Sequence, residues 1–205
     1  MTERPPGVIL AGGLASRMGG GDKGLLRLGE RRLIDHVIAR LAPQCAALAL
    51  NANGDPARFA DLGLPVLADG VAGHPGPLAG VLAGLDWAAG QGAEAIVTAA
   101  ADTPFLPDDL FVRLMAAAPA SGLALAASPD ADGTVWRHPT FGLWPVALRG
   151  DLRAALEGGV RKIVAWTDAQ GAGQAVFETG AVDPFFNINR PEDIAAADAM
   201  LTRSA

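Results

Sequence analysis

Apolar residues in this chain fall into short unbroken runs, separated by stretches where they recur every three or four positions. Gly7–Ala11 (GVILA) is apolar throughout, lies between Pro5-Pro6 and Gly12-Gly13, and reads as a buried strand. A loop follows. Leu33, Ile34, Val37, Ile38 and Leu41 then share one helical face, which predicts a helix near 31–42. Residues 46–50, 65–68 and 95–101 read as further strands, ending at Asn51, Asp69 and Asp102. Leu78, Val81, Leu82 and Leu85 mark a helix between the last two, and 107–118 reads as a helix with Pro107 in its opening turn.

The second half is less regular. Residues 122–127 and 140–144 read as strands, 146–156 as a helix, 128–136 as a polar loop, and 160–166 fits either state. The tail, 191–201, is helical by the spacing of Ile194, Ala197 and Leu201; Arg190 precedes it where a Ser or Thr cap would be favoured. Alternating strands and helices predict an α/β fold, a mostly parallel sheet flanked by helices, in one compact domain over 1–205. In such sheets ligands sit beyond the carboxyl ends of the strands. The backbone at Gly12 and Gly13, together with Asn51, Asp69 and Asp102, falls on that rim.

Composition narrows the chemistry. With 205 residues, 50% of them hydrophobic and 19% charged, the chain is long and apolar enough for a core of its own. Cys45 is the one cysteine, so no internal disulfide or cysteine-based zinc site is expected, and His36, His74 and His138 lack ligand spacing. No secretory signal pattern and no apolar run of ~18 residues is present, which points to the cytoplasm and away from a membrane. A net charge of −6 argues against nucleic acid. Yet residues 1–40 carry +3 and the remainder −9. The positive excess coincides with the glycines at 12, 13, 19, 20 and 21, flanked by Arg17 and Lys23. Glycine backbone without Cβ atoms, plus two cations, suits a phosphate. It is neither a Walker A loop nor a dinucleotide fingerprint.

The string from Leu10 to Lys23, LAGG-x3-RMGG-x-DK, resembles the signature of the molybdenum cofactor guanylyltransferase family. Leu50–Asn53, Ala68-Asp69, Pro75–Gly80 (PGPLAG), Asp102–Phe105, Arg137–Thr140 (RHPT) and Phe186–Asn189 (FNIN) resemble its later motifs in the same order. The resemblance implies a Rossmann-like nucleotidyltransferase fold, similar to glycosyltransferase-A. It implies transfer of GMP from GTP to molybdopterin, with pyrophosphate released. Leu10, Ala11, Gly12, Gly13, Lys23, Asn51, Asp69 and Asp102 would contact GTP. Lys23, Arg17 and Asp102 would carry the catalysis, with Asp102 holding Mg²⁺, for which Mn²⁺ can substitute. Residues 7–105 would form the nucleotide side and 106–200 the pterin side. Pro77, Leu78, Arg137, His138, Arg161, Lys162, Asn187 and Asn189 are candidates for the pterin side. Transient contact with molybdenum insertion proteins, apo-molybdoenzymes or their chaperones is implied as well.

Plainer readings stand beside these. Asn51, Asn53 and Asp102 suit turns, Asp69 suits a solvated loop, and Arg161-Lys162 suits a surface pair. Gly80 and Gly84 read as packing positions, and the four tryptophans as core or rim packing. A cytidylyltransferase using CTP is the alternative on the same fold. A nucleotide-binding regulatory module without turnover is the alternative of another class.

Overall fold

The computed structural model describes residues 3–12, 21–71 and 76–204. The expectations for Gly13 and Arg17, and for the remaining loop glycines at 19 and 20, lie outside the described residues. β1 (Gly7–Leu10), β4 (Leu48–Asn51), β5 (Val66–Leu67) and β6 (Ala95–Ala100) pair in parallel. A small hairpin, β2 (Arg27–Leu28) and β3 (Arg31–Arg32), precedes α1 (Leu33–Leu41). β7 (Ala124–Pro129), β8 (Val135–Pro145) and β9 (Gly173–Val176) complete a seven-stranded sheet in the order β5-β4-β1-β6-β8-β7-β9. β8 is the strand that runs against the others. The chain moves outward from β1 to β4 and β5, then crosses to β6 on β1's other side. The order therefore reverses at β1, where a crevice is expected at the carboxyl ends.

Strand alternation sorts the core into two layers. Ile9 and Leu50 face α1 and α3 (Leu110–Ala117), packing with Ile34, Val37, Leu41 and Leu114. Val8, Leu10 and Ile96 face α2 (Pro77–Ala89), with α4 (Arg149–Glu157) and α5 (Ile163–Ala169) contributing Leu152 and Trp166. α2 is apolar except at Asp86, in keeping with its burial along most of its length. Gly84 lets it close on the sheet: a Cβ there would lie 2.8 Å from Val8 Cγ2. α6 (Pro191–Ser204) and the β2–β3 hairpin form a third cluster around Leu28, Leu33, Phe105 and Ile188.

Several boundaries differ from expectation. Residues 128–136, expected as a polar loop, comprise the end of β7, a hairpin turn at 130–134 and the start of β8 at Val135. Asp130 Oδ1 accepts from Asp132 and Thr134 N–H, closing the turn. The ambiguous 160–166 stretch leads into α5. The helix expected from 146 begins at Arg149. β9 carried no alternation signal, since Ala175 is its one buried residue. At Arg190 the missing side-chain cap is supplied from inside α6: Asp193 Oδ2 accepts from the N–H groups of Asn189 and Arg190. Trp136 is not packed but 60% exposed, its indole N–H bonded to Asp130 Oδ2 at 2.7 Å.

Candidate active site

A cavity of about 300 Å³ opens at the carboxyl ends of β1, β4 and β6, lined by residues that include Leu10, Gly12, Asn51, Asp69, Asp102 and Asn187. Each strand delivers the residue at or just beyond its end there. β1 ends into Ala11 and Gly12, and the Ala11 N–H continues the ladder to the Asn51 carbonyl. β4 ends at Asn51, which is 5% exposed and has its side-chain amide nitrogen engaged twice. Its Nδ2 donates to the Leu67 carbonyl at 3.0 Å and to Asp69 Oδ1 at 2.9 Å. Asn53 grips Asp69 from the other side: its Nδ2 donates to Oδ2 at 2.8 Å, and its Oδ1 accepts the Asp69 N–H. Both oxygens of Asp69 are thereby oriented by amides.

α2 begins at the same cavity. Gly76 and Pro77 line it, so the helix points its N–H groups and positive end inward, where anions are favoured. Gly80, one turn on, lies against Asn51. A Cβ on Gly80 would stand 2.1 Å from Asn51 Oδ1, so no larger residue fits with the amide in place.

Lys23 supplies the cation. Its Nζ donates to Asp102 Oδ2 at 2.8 Å and to Asn189 Oδ1 at 2.5 Å. The tail segment is fixed there by its backbone: the Ile188 N–H donates to the Asp102 carbonyl at 3.0 Å. Ile188 is buried, while Asn187 lines the cavity and Asn189 meets Lys23. Asn189, expected on the pterin side, thus stands beside Lys23, expected on the nucleotide side.

Other candidates lie away from the cavity lining. Leu78 is 2% exposed and packs among Val81, Leu82 and Leu85, so its side chain does not face the cavity. Arg161 and Lys162 are exposed and absent from the cavity lining; Arg161 Nη1 is turned back onto the Leu156 and Val160 carbonyls. Arg137 pairs with Asp168 through both terminal guanidinium nitrogens. His138 stacks on Phe185 with ring centroids 4.1 Å apart, and its Nε2 is 2.7 Å from Ser128 Oγ. Burial pushes its pKa below the usual histidine value, opposed by Asp183. Of the RHPT motif, it is Thr140 that reaches the cavity. Asn53 and Thr140 were both inside motifs whose other members drew attention first. Gly76, beside them in the lining, carried no chemical signal of its own.

The description "MobA-like NTP transferase domain" matches residues 7–172. The chain belongs to the MobA-like NTP transferase family. It is 51% identical over 100% of its length to a protein of Rhodopseudomonas palustris named molybdenum cofactor guanylyltransferase, covering 99% of that relative. A Bradyrhizobium relative of the same name is 50% identical, over 97% of this chain and 94% of its own. Among solved structures, molybdopterin-guanine dinucleotide biosynthesis protein A from Archaeoglobus fulgidus superposes with a TM-score of 0.71 at 20% identity, covering 97% of this chain and 99% of that one. The cytidylyltransferase for 2-C-methyl-D-erythritol 4-phosphate from Thermus thermophilus gives 0.69 at 21%, covering 98% and 100%. Both share the fold. Nucleotidyltransferases of this kind generally use a divalent metal. No helix among the described residues is long and apolar enough to cross a membrane.

The family's metal can be tested on Asp102. Its carboxylate is 16% exposed at the cavity edge, and the Lys23 ammonium already sits on one oxygen. A carboxylate that holds a cation at the edge of a cavity of about 300 Å³ fits a hard divalent ion of the kind that accompanies phosphates.

Proposed function

We propose that the protein transfers the GMP moiety of GTP to the terminal phosphate of molybdopterin, giving the guanine dinucleotide form of the cofactor and pyrophosphate. The observation that carries this reading is the Lys23–Asp102–Asn189 cluster at the mouth of a cavity shaped by Gly12, Asn51, Asp69 and the start of α2. The names borne by relatives of half-identical sequence favour GTP over CTP.

The attacking group is a phosphate monoester with a second pKa near ~6, already ionised at neutral pH, so no general base is needed. The difficulties are repulsion between two anions and charge growing on the departing pyrophosphate. Positioning and electrostatics answer both. Backbone at Gly12 and the start of α2 present N–H groups to the triphosphate. Lys23 exchanges Asp102 for phosphate oxygens and neutralises charge on the leaving group. Asn51, Asn53 and Asp69 hold the nucleoside end. Asp102 would hold Mg²⁺, with Mn²⁺ able to replace it; the ion draws charge from the triphosphate when bound. Gly13 and Arg17 belong to the same triphosphate side by their place in the motif.

Residues 7–105 supply this nucleotide side, and 106–200 supply the pterin side through Thr140 and Asn187. The reaction belongs in the cytoplasm, with transient handover of product to molybdenum insertion proteins, apo-molybdoenzymes or their chaperones. The test is turnover with GTP labelled at the α-phosphate, molybdopterin and Mg²⁺. Label in a pterin dinucleotide, dependent on both substrates, supports the reading. Label transferred from CTP in preference to GTP overturns the base assignment, and GTP binding without product overturns the enzyme.

A further inference from the structure

Arg58 lies outside every motif named above, in the turn that follows β4. Its guanidinium is nevertheless engaged on all sides. Nε donates to Asp22 Oδ2 at 2.5 Å, and Nη2 to Asp22 Oδ1 at 3.3 Å. Nη2 also donates to the Asn53 carbonyl at 2.5 Å, and Nη1 to the Asp55 carbonyl. The plane rests 4.6 Å from the ring centroid of Phe59, which is buried. Asp22 keeps 11% of its side chain exposed, with Arg58 as its ion-pair partner.

The two ends of this contact matter. Asp22 immediately precedes Lys23, and its own carbonyl accepts the Leu25 N–H that closes the turn carrying Lys23. Asn53 is the residue whose side chain orients Asp69. One side chain therefore ties the carboxylate of the residue before Lys23 to the backbone of Asn53.

We infer that Arg58 is a positioning residue for the nucleotide: it holds Asp22, and so the base of the Lys23 side chain, at a fixed place relative to Asn53 and Asp69. The inference rests on the nucleotide reading of the site. A lysine rooted in fixed backbone loses less freedom when it meets a phosphate than one on a loose loop. A planar fork is needed for the task, because both carboxylate oxygens of Asp22 are gripped at once; a lysine at 58 would supply a point charge.

The test is calorimetric affinity for GTP with Mg²⁺, measured well below each melting temperature, for the wild type, Arg58→Ala, Arg58→Lys, Asp22→Asn and the double variant Arg58→Ala/Asp22→Asn. Each single variant is expected to weaken GTP about tenfold, and the double variant no more than either single, as residues acting through one contact are non-additive. Arg58→Lys recovers little. Asp22→Asn keeps side-chain volume and serves if Arg58→Ala does not fold. Folded variants that bind GTP within about twofold of wild type, or losses that add in the double variant, overturn the inference. If the wild type itself takes no GTP, the nucleotide reading falls and the inference with it. If the wild type binds and the variants match it, the inference alone falls.

Discussion

The Lys23 ammonium lies 2.8 Å from Asp102 Oδ2, joining the loop after β1 to the end of β6. Each is the group the other would give up on binding substrate: Lys23 to phosphate oxygens, Asp102 to a divalent ion. With side chains 14% and 16% exposed, the two groups are largely shielded from solvent and hold one another in place at the cavity.

Removing either charge should cost rate more than stability. Lys23→Met is expected to lower kcat/KM for GTP by about a hundredfold or more, the scale seen when one preorganised transition-state donor is lost. Asp102→Asn should lower kcat at saturating Mg²⁺ by a similar or larger factor, with the fold retained. Steady-state kinetics beside a thermal melt checks both. An unchanged kcat in Asp102→Asn would remove the metal role.

Gly80→Ala separates helix propensity from site geometry. Alanine favours a helix interior over glycine by up to ~1 kcal/mol. Here its Cβ would meet Asn51 Oδ1 at 2.1 Å, so the amide must leave its place between Leu67 and Asp69. The KM for GTP should rise about tenfold, as expected for a displaced polar contact. Gly84→Ala, which instead meets Val8 and Ile96, should lower the melting temperature and leave KM alone.

His138 should titrate below 6.5. Burial against Phe185 disfavours the imidazolium, and Asp183 offsets this in part. A histidine with a depressed folded pKa contributes stability that is whole above its unfolded value near ~6.5 and is lost as pH falls through the folded value. An NMR titration of the ring protons measures the midpoint directly. A midpoint at or above 6.5 would contradict the buried stack.

Cys45 should be inert in the folded protein. Burial pushes its thiol up to about 12, with Arg4 pulling weakly the other way. The reactive thiolate is therefore scarce at pH 8. Thiol reagents should modify the native protein slowly and the denatured chain at once, followed by mass spectrometry. Rapid native modification would contradict its burial.

The strands that build the site were legible because each is short, apolar and ended by a polar or glycine residue at the rim. Asn51, Asp69 and Asp102 stood out for that reason, and the cavity gathers all three. β9 was not legible, because an edge strand with one buried residue has no alternation to read. The pterin-side candidates were weaker for a different reason. A basic pair such as Arg161-Lys162 has the same composition whether it meets a ligand or solvent. Leu78 belongs to a motif whose Gly76 and Pro77 line the cavity while its own side chain fills the core. Arg58 gave no signal, since its partners are 36 residues away at Asp22 and on two backbone carbonyls. Contacts of that kind appear only once the chain is folded.

A structure of the protein with GTP and Mg²⁺ tests the central claim most directly. The account predicts the triphosphate across the cavity mouth, with Lys23 Nζ moved from Asp102 to phosphate oxygens, Asp102 on the metal, and Asn51 and Asp69 at the nucleoside end. A triphosphate bound elsewhere, with the Lys23–Asp102 contact still at 2.8 Å, would contradict it.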